Sequence, residues 1–390
     1  MSYVLRDYQQ KASDAAVSFF ANKTKRNNAI MVLPTGAGKS LVIADIASRL
    51  EGHTLVFQPS KEILEQNYLK LCSYGILDCS VYSASFGRKD ISRITFATIG
   101  SVKNHSELFQ HFRNIIIDEC HLVNPKEGMY KDFLTMLQCK VLGLTATPYR
   151  LSSSRDFGSM LKFITRTRPC VFSEVIYQVQ ISTLLDMGYL SKLNYYAMNP
   201  LGWNELNLKV NTTGADYTDK SVVKEYERID FYGFLVSIVR RLMNPKVGGK
   251  RKGILVFTRF LKEAQRLTQS IPGTAIVSGD TPKKERERIL EEFKAGEIPV
   301  VANVGVLTTG FDYPELDTIV MARPTMSLAL WYQIVGRAIR PHPTKEAGWI
   351  VDLCGNIKRF GEVKDLRLVN GGNGKWAVFS NNRQLTNVRF

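Results

Sequence analysis

Short apolar runs recur along the first half of the chain, and segments with helical periodicity separate them. The runs are continuous rather than alternating and contain many β-branched residues, which is typical of strands covered on both faces. A helical pattern such as LVIADIASRL follows at once after Ser40. Alternating strands and helices predict a parallel, doubly wound α/β sheet. The predicted strands are residues 29–33, 54–58, 94–98, 114–118 and 140–145.

The same alternation of apolar runs and helical segments recurs in the second half of the chain, so the pattern predicts two α/β lobes. We place the boundary near residue 190, which gives lobe 1 as residues 1–190 and lobe 2 as residues 191–360. Residues 361–390 form a basic C-terminal extension, in which 366–379 predict a hairpin around a Gly-Asn turn. The strands predicted for lobe 2 are residues 253–258, 274–279, 299–304, 317–322 and 348–353.

The middle of the chain is less regular. Residues 150–158 (RLSSSRDFG) and 211–220 (NTTGADYTDK) are rich in turn-forming residues, so we expect loops there. Residues 174–190 predict an extended segment and then a short helix that ends at Gly188.

Charge changes this picture most. The chain has 390 residues, of which 44% are hydrophobic and 23% charged, which fits an ordinary globular protein. The net charge is +16, and a chain this basic usually meets a polyanion, although the charge can also serve solubility. Residues 240–252 contain six Lys or Arg and no acid, so they are either a track for nucleic acid or a solvated loop. Trp376 either stacks on bases or packs in the core.

Cysteine usage and hydropathy indicate the compartment. The six cysteines include no CxxC pair, so we expect no zinc knuckle, and their scatter predicts a reducing cytosol. Charged residues interrupt the first segment, and no apolar run is long enough to span a membrane. The cysteines are Cys72, Cys79, Cys120, Cys139, Cys170 and Cys354.

The stretch PTGAGKS, residues 34–40, follows a predicted strand and opens a predicted helix, as a phosphate-binding loop does. Its glycines let backbone N–H groups approach phosphate oxygens, and the helix start adds a positive dipole end. Lys39 is placed to neutralise the β- and γ-phosphates of ATP, and Ser40 to hold Mg²⁺. Leu33 replaces the first glycine of the general pattern. The predicted nucleotide-binding residues of this loop are Thr35, Gly36, Ala37, Gly38, Lys39 and Ser40.

A second element, IIIDECH (115–121), delivers two acids to the carboxyl end of a buried strand, where open α/β sheets bind ligands. Asp118 is expected to hold the Mg²⁺ of bound ATP through water, and Glu119 to orient or deprotonate the attacking water.

These motifs together resemble those of superfamily-2 helicases and translocases of the DExH type, whose phosphate loop is PTGxGKS. The resemblance covers about residues 5–360 and implies two RecA-like lobes with ATP and Mg²⁺ in the cleft between them. The further motifs that carry it, in order, are LRDYQQ (5–10), FQPSKEILEQ (57–66), TIGS (98–101), TATP (145–148), VFTRF (256–260), VLTTGFDYP (306–314) and YQIVGRAIRP (332–341).

The resemblance assigns roles at the ATP site. Arg6 and Gln9 are expected to contact the adenine, and Gly310 and Asp312 to lie at the cleft. Both Arg337 and Arg340 are expected to reach the γ-phosphate, with Arg340 as the arginine finger.

It also assigns residues that couple the lobes and residues that bind nucleic acid. The coupling residues are His121, which is expected to meet the second lobe through Gln333, together with Thr145 and Thr147. The residues expected to contact nucleic acid are Pro59, Ser60, Thr98, Gly100, Thr258, Arg259 and Thr308.

Within the family, the motifs are most similar to those of RadD-like bacterial DNA-repair proteins and related phage helicases, although the chain lacks their Cys-rich zinc region. This implies an ATP-dependent DNA helicase or translocase of repair, recombination or replication. We expect a monomer in the cytoplasm of a bacterial or phage-infected cell. The alternatives are an RNA helicase of the same fold, an ATPase that remodels or anneals strands without unwinding, and the motor subunit of a restriction complex.

Overall fold

The structure is a computed structural model of the chain. It describes residues 3–24, 27–137, 139–154, 158–198, 206–245, 251, 253–307, 313–372 and 374–386.

Eight strands of the first half form one sheet in the order β10-β1-β7-β6-β2-β5-β3-β4, and every neighbouring pair is parallel except β3 and β4. Two further strands, β8 and β9, form a separate antiparallel hairpin. The strands are β1 (Ala29–Val32), β2 (Thr54–Phe57), β3 (Cys79–Ser83), β4 (Arg88–Lys89), β5 (Ile94–Ala97), β6 (Asn114–Asp118), β7 (Lys140–Thr145), β8 (Tyr149–Ser154), β9 (Gly158–Phe163) and β10 (Glu174–Gln178).

The five strands predicted for lobe 1 are confirmed, because each apolar run is a buried strand of this sheet. The loop predicted over 150–158 is wrong over its described residues. They belong to β8 and β9, in which Leu151 pairs with Leu161. Serine-rich composition favours turns, but here a partner strand supplies the backbone hydrogen bonds that a loop would take from water.

The described residues of the first half include six helices beside this sheet. The side chain of Ser60 caps α3 by accepting a hydrogen bond from the backbone N–H of Ile63 at 3.3 Å, which fixes where that helix begins. The helices are α1 (Asp7–Ala21), α2 (Lys39–Arg49), α3 (Lys61–Ser73), α4 (Ile99–Val102), α5 (Met129–Met136) and α6 (Ile181–Asp186).

The second half forms a six-stranded, fully parallel sheet in the order β11-β16-β15-β12-β14-β13. Both lobes are therefore RecA-like, and the predicted α/β class is confirmed. The strands are β11 (Lys192–Ala197), β12 (Ile254–Thr258), β13 (Thr274–Ser278), β14 (Val300–Val304), β15 (Thr318–Ala322) and β16 (Ala347–Asp352). The helices are α7 (Asp219–Arg228), α8 (Phe231–Met243), α9 (Leu261–Ser270), α10 (Lys283–Ala295), α11 (Leu328–Val335) and α12 (Asn356–Phe360).

A C-terminal sheet follows lobe 2 and packs back on lobe 1. Its strands are β17 (Leu366–Asn370), β18 (Trp376–Ser380) and β19 (Arg383–Gln384), so the predicted hairpin is confirmed. The side-chain amide of Gln180 pairs with Leu368 as a strand would: it donates to the carbonyl at 2.8 Å and accepts from the N–H at 3.0 Å. Trp376 is buried and stacks on Phe163 with ring centroids 5.9 Å apart. Of the two interpretations of Trp376, the core contact is the one observed.

The apolar core is continuous between the lobes. One cluster of buried side chains runs from lobe 1 through α11 to the C-terminal sheet, while a second fills the opposite face of the lobe 2 sheet. Trp331 on α11 is fully buried, and its indole N–H donates to the carbonyl of Gly361 at 3.3 Å. None of the described helices has the length and apolar character that crossing a membrane requires.

Candidate active site at the lobe interface

The phosphate loop lies at the carboxyl end of β1. Gly36 and Gly38 adopt positive φ angles of 83° and 77°, a region that favours glycine. A methyl group on Gly38 would lie 2.5 Å from Nε2 of Gln9, so a side chain there is excluded by space as well. Helix α2 begins at Lys39, directly after Gly38, so its free N–H groups face the loop.

Residues of the first helix brace this loop. Both Tyr8 and Gln9 donate to the carbonyl of Ala37 at 2.9 Å, from the phenol and the amide respectively. The amide oxygen of Gln9 accepts from the backbone N–H of Arg6 at 3.0 Å, and the Arg6 guanidinium stacks on the Tyr189 ring at 4.2 Å. The amide nitrogen of Gln9 thus positions the loop while its oxygen is held by Arg6, and its predicted contact with adenine stays a prediction.

The acidic pair lies at the carboxyl end of β6, of which Asp118 is the last residue. Lys39 Nζ lies 3.5 Å from Oε1 of Glu119, so the phosphate loop and the acidic motif meet. Asp118 is buried and accepts from the backbone N–H of Glu119 at 2.9 Å. Burial, with a smaller contribution from the Glu119 charge, raises the pKa of Asp118 to about 7, while Lys39 acts in the opposite direction. Glu119 has a φ of 49°, an uncommon conformation for a residue other than glycine.

His121 joins these acids to the TATP segment and to lobe 2. Its Nδ1 lies 2.9 Å from Thr145 Oγ1 and 3.2 Å from Thr147 Oγ1, and its Nε2 lies 3.3 Å from the side-chain amide of Gln333 on α11. Burial lowers the pKa of His121, against the effect of Glu119, and so favours the neutral ring. Strand β7 lies between β1 and β6 in the sheet, which explains why its threonines reach both motifs.

Residues 336–340 of lobe 2, here called the arginine segment, pack directly on the phosphate loop. A methyl group on Gly36 would lie 3.9 Å from Arg340 Cγ, and one on Gly336 would lie 2.7 Å from Thr35 Cγ2. The interlobe connection is tied to the same segment, since Ser191 donates its N–H to the carbonyl of Ile339 at 2.8 Å and its hydroxyl to that of Arg340 at 3.0 Å. Arg337 is buried in this contact region.

The donor set fits the magnesium ion of a nucleotide. Ser40 offers a hydroxyl and Asp118 a carboxylate, both hard oxygen ligands, and Mg²⁺ at phosphate sites commonly takes one or two protein ligands beside phosphate oxygens and water. Over the described ranges, no group of three or more His, Cys, Asp or Glu side chains could hold a metal without a nucleotide.

Four of the residues predicted to contact nucleic acid follow two neighbouring strands. Pro59 and Ser60 follow β2, while Thr98 and Gly100 follow β5, and the two strands pair in parallel. These segments therefore emerge side by side at the carboxyl edge of the lobe 1 sheet. Gly100 is exposed, and a methyl group there would meet no atom within 4 Å. Their contacts with nucleic acid stay predictions.

In lobe 2 the two predicted contact residues at the end of β12 face inward. Thr258 is fully buried and donates to the carbonyl of Asn303 at 3.3 Å. The Arg259 guanidinium, whose side chain is 9% exposed, lies 3.1 Å from Asp216 and 2.8 Å from Asp219. It also donates to the Tyr217 carbonyl at 2.7 Å. This arrangement uses Arg259 to hold the start of α7, and a contact with nucleic acid stays a prediction.

Three predicted site residues, Thr308, Gly310 and Asp312, lie outside the described residues, as do 246–250 and 252 of the basic run. Sequence reasoning missed Tyr8, Tyr189 and Ser191, which complete the site. The signal for Tyr189 was an aromatic residue directly before the lobe boundary, but nothing local marks its contact with Arg6.

Two protein families match the chain in separate regions. Residues 2–150 match the family described as "Type III restriction enzyme, res subunit", and residues 236–342 match "Helicase conserved C-terminal domain". The two regions contain the phosphate loop and the arginine segment respectively.

Curated relatives match along most of the chain. The chain is 25% identical to "Putative ATP-dependent helicase IRC3" of Saccharomyces cerevisiae, over 90% of the chain and 52% of that protein. It is 26% identical to "DNA 3'-5' translocase XPB2" of Sulfurisphaera tokodaii, over 86% of the chain and 78% of that protein. The chain spans about half to two thirds of the length of the first relatives it matches.

Solved structures share the fold. A fragment of a putative HsdR subunit of a type I restriction enzyme from Vibrio vulnificus has a TM-score of 0.67 at 21% identity, with 92% of this chain and 66% of that chain covered. The restriction-modification enzyme LlaBIII bound to DNA has a TM-score of 0.66 at 18% identity, with 90% and 28% covered. The narrower similarity to RadD-like proteins stays a prediction. From the two family matches, the helicase relatives and the paired RecA-like lobes, the chain belongs to superfamily 2 of the helicases.

Proposed function

We propose that the protein is an ATP-dependent DNA helicase or translocase that couples hydrolysis to movement on DNA, or to its remodelling, in repair, recombination or replication. The observation that carries this proposal is the contact between the lobes: the Arg340 stem lies against Gly36, and Gly36 belongs to the loop that ends in Lys39. A triphosphate in this loop lies between a cation of lobe 1 and one of lobe 2.

The proposed work of each residue follows from its position. Lys39 binds the β- and γ-phosphates, Glu119 orients the attacking water, and Arg340 stabilises charge on the γ-phosphoryl group. Arg337 assists Arg340 from its buried position. Mg²⁺, held by Ser40 and Asp118 with the nucleotide, would neutralise phosphate charge. Through the His121–Gln333 contact, the structural change that hydrolysis causes beside Glu119 is transmitted to lobe 2.

Movement results from a difference in affinity. ATP favours the closed lobes because its γ-phosphate binds both, and hydrolysis removes that shared contact. A strand of DNA that crosses both lobes is then gripped differently in the two states. In this proposal lobe 1 comprises residues 1–190, lobe 2 residues 191–360 and the C-terminal extension residues 361–390, and the protein acts as a cytoplasmic monomer.

The test is steady-state ATP hydrolysis with single-stranded DNA, duplex DNA, forked DNA and RNA as separate activators, followed by unwinding of substrates with 3′ or 5′ overhangs. We expect stimulation by DNA. Stimulation by RNA alone would show that the protein is an RNA helicase of the same fold. Annealing or remodelling without strand separation would identify a remodelling ATPase.

Two substitutions test the site itself. Lys39→Ala is expected to abolish turnover, and Arg340→Ala to lower it by roughly 10³–10⁵-fold, the range for loss of an arginine finger. The matched control is Lys70→Ala, an exposed lysine of α3 away from the loop, which should leave turnover unchanged. Wild-type turnover in Lys39→Ala would refute the assignment.

A further inference from the structure

A buried lysine stands behind the arginine segment. Lys345 is 8% exposed, although lysine is rarely buried to this extent. Its ammonium donates to three backbone carbonyls: Pro314 at 2.8 Å, Ala338 at 3.0 Å and Leu316 at 3.2 Å. An ammonium has three donors, so this set of acceptors satisfies it completely.

The three acceptors belong to two separate segments. Pro314 and Leu316 lie in the turn that leads into β15, and Ala338 lies between Arg337 and Arg340. Lys345 therefore bridges the backbone of the arginine segment to the turn before β15. Carbonyl groups alone do not attract one another, so without the ammonium nothing in this set would hold the two segments together.

The same carbonyl lies close to the backbone of Gly348. A methyl group on Gly348, in β16, would lie 2.6 Å from the Ala338 oxygen and 2.7 Å from Leu193 Cδ2. The Ala338 carbonyl thus occupies the space that a side chain at position 348 would fill, and it also accepts from the Lys345 ammonium.

We propose that Lys345 is a positioning residue for ATP hydrolysis: by holding the Ala338 carbonyl, it fixes the backbone from which Arg337 and Arg340 reach the phosphate loop. This inference rests on the proposed function, since it needs the two arginines to act on the γ-phosphate. Lys345 itself does not touch the nucleotide. Its effect on turnover arises because catalytic geometry tolerates little error, and a misplacement of about 1 Å can cost about 10²-fold.

The charge of Lys345 gives the arrangement a pH dependence. Burial lowers the pKa of Lys345 to about 8, with Arg340 also lowering it and Asp317 raising it. A neighbouring pair, His342 and Glu315, lies 3.5 Å apart at the same turn. Above pH 8 the neutral amine has only two donors for three carbonyls, so turnover that depends on Lys345 falls as the pH rises through about 8. Because the pKa of Lys345 is lower in the folded chain, keeping the amine charged costs folding free energy. The charge therefore positions the Ala338 carbonyl and does not stabilise the fold.

The experiment measures kcat and KM for ATP between pH 6.5 and 9.5 in the full chain with its activating nucleic acid. Lys345→Met should lower kcat by about 10- to 100-fold with a smaller change in KM, and should lose the decline near pH 8. Lys345→Arg, which stays charged, should recover part of kcat and also lack that decline. The matched control is Lys262→Met, an exposed lysine paired with Glu227 on the surface of lobe 2.

Gly348→Ala displaces the same carbonyl without changing any charge, and so tests the inference if Lys345→Met does not fold. It should lower kcat while the decline near pH 8 remains. In an Arg340→Ala background, Lys345→Met should cost little more, because the two act as a unit.

Wild-type kcat in Lys345→Met, a decline near pH 8 that persists in it, or fully additive losses with Arg340→Ala would each overturn the inference. Failure of the proposed function is a separate result, since Lys39→Ala and Arg340→Ala would then retain full turnover.

Discussion

At the scale of single residues, the position of Asp118 suits its proposed role at the ATP site but lowers the stability of the fold. The carboxyl group is buried at the carboxyl end of β6, where burial and, to a smaller extent, Glu119 raise its pKa to about 7. The folded state therefore holds the proton that an unfolded chain releases near pH 4. The free energy of unfolding therefore falls as the pH rises from about 4 to about 7. Above pH 7 the destabilisation by the charged Asp118 carboxylate is complete.

Asp118→Asn should therefore raise the melting temperature at pH 8 while it abolishes ATP hydrolysis. The gain should reach several degrees, since about 1 kcal/mol shifts Tm by roughly 2–4 °C in a domain of this size. The gain should be smaller at pH 5, where the folded wild-type carboxyl is already neutral. Thermal melts of both proteins at pH 5 and pH 8 measure this, and an equal difference at both pH values would contradict it.

How far the sequence predicts these residues depends on the range of their contacts. The sequence predicted that the phosphate loop and the acidic motif would form one site, because each follows a strand, and Lys39 and Glu119 do meet. The resemblance, not spacing, implied that His121 would reach Gln333. Spacing could not predict that the Gln9 amide would brace the phosphate loop or that Lys345 would bridge two turns. Those contacts depend on how elements far apart in the chain pack, and no local pattern encodes this.

At the scale of elements, the C-terminal sheet is joined to both lobes. Gln180 of lobe 1 pairs with both backbone groups of Leu368. On the other side, the Val363 N–H donates to the Tyr195 hydroxyl at 3.0 Å, and Arg383 donates to the carbonyl of Arg359. The sheet thus depends on one side chain for its strand-like contact with lobe 1.

Gln180→Ala should loosen this sheet. It leaves the N–H and carbonyl of Leu368 without that partner, at a cost of about 1–3 kcal/mol for each buried group left unpaired. Hydrogen exchange of peptides over 366–372 should become faster by the corresponding factor, while peptides of the lobe 2 sheet stay unchanged. Gln265→Ala, an exposed glutamine on α9, is the control. Unchanged exchange in Gln180→Ala would show that the apolar contacts alone hold the sheet.

The strands were predictable because burial on both faces leaves continuous apolar runs, as in β1 and β6. The hairpin of β8 and β9 was not, because its serine-rich sequence has the composition of a loop and its pairing is set by a partner strand. The packing of β17 on lobe 1 could not be predicted either, because the sequence of a hairpin indicates which strands pair but not the surface on which the hairpin packs.

At the scale of the whole molecule, the net charge of +16 favours a polyanion. If phosphate contacts dominate DNA binding, the logarithm of the affinity should fall linearly with the logarithm of the salt concentration, with a slope of about −0.7 for each phosphate neutralised on a single strand. Anisotropy titrations of a labelled strand between about 50 and 200 mM salt measure that slope. A strand with a neutral backbone is the control and should bind weakly, and a slope near zero would contradict backbone recognition.

The return of the C-terminal sheet to lobe 1 limits how the halves can move. The chain crosses from one sheet to the other between β10 and β11, and β17 makes a second connection through Gln180. A body attached at one point swivels freely, whereas a body attached at two turns only about the line through both. Movement of lobe 2 that keeps the Gln180–Leu368 contact is therefore more restricted in direction than movement about the chain crossing alone.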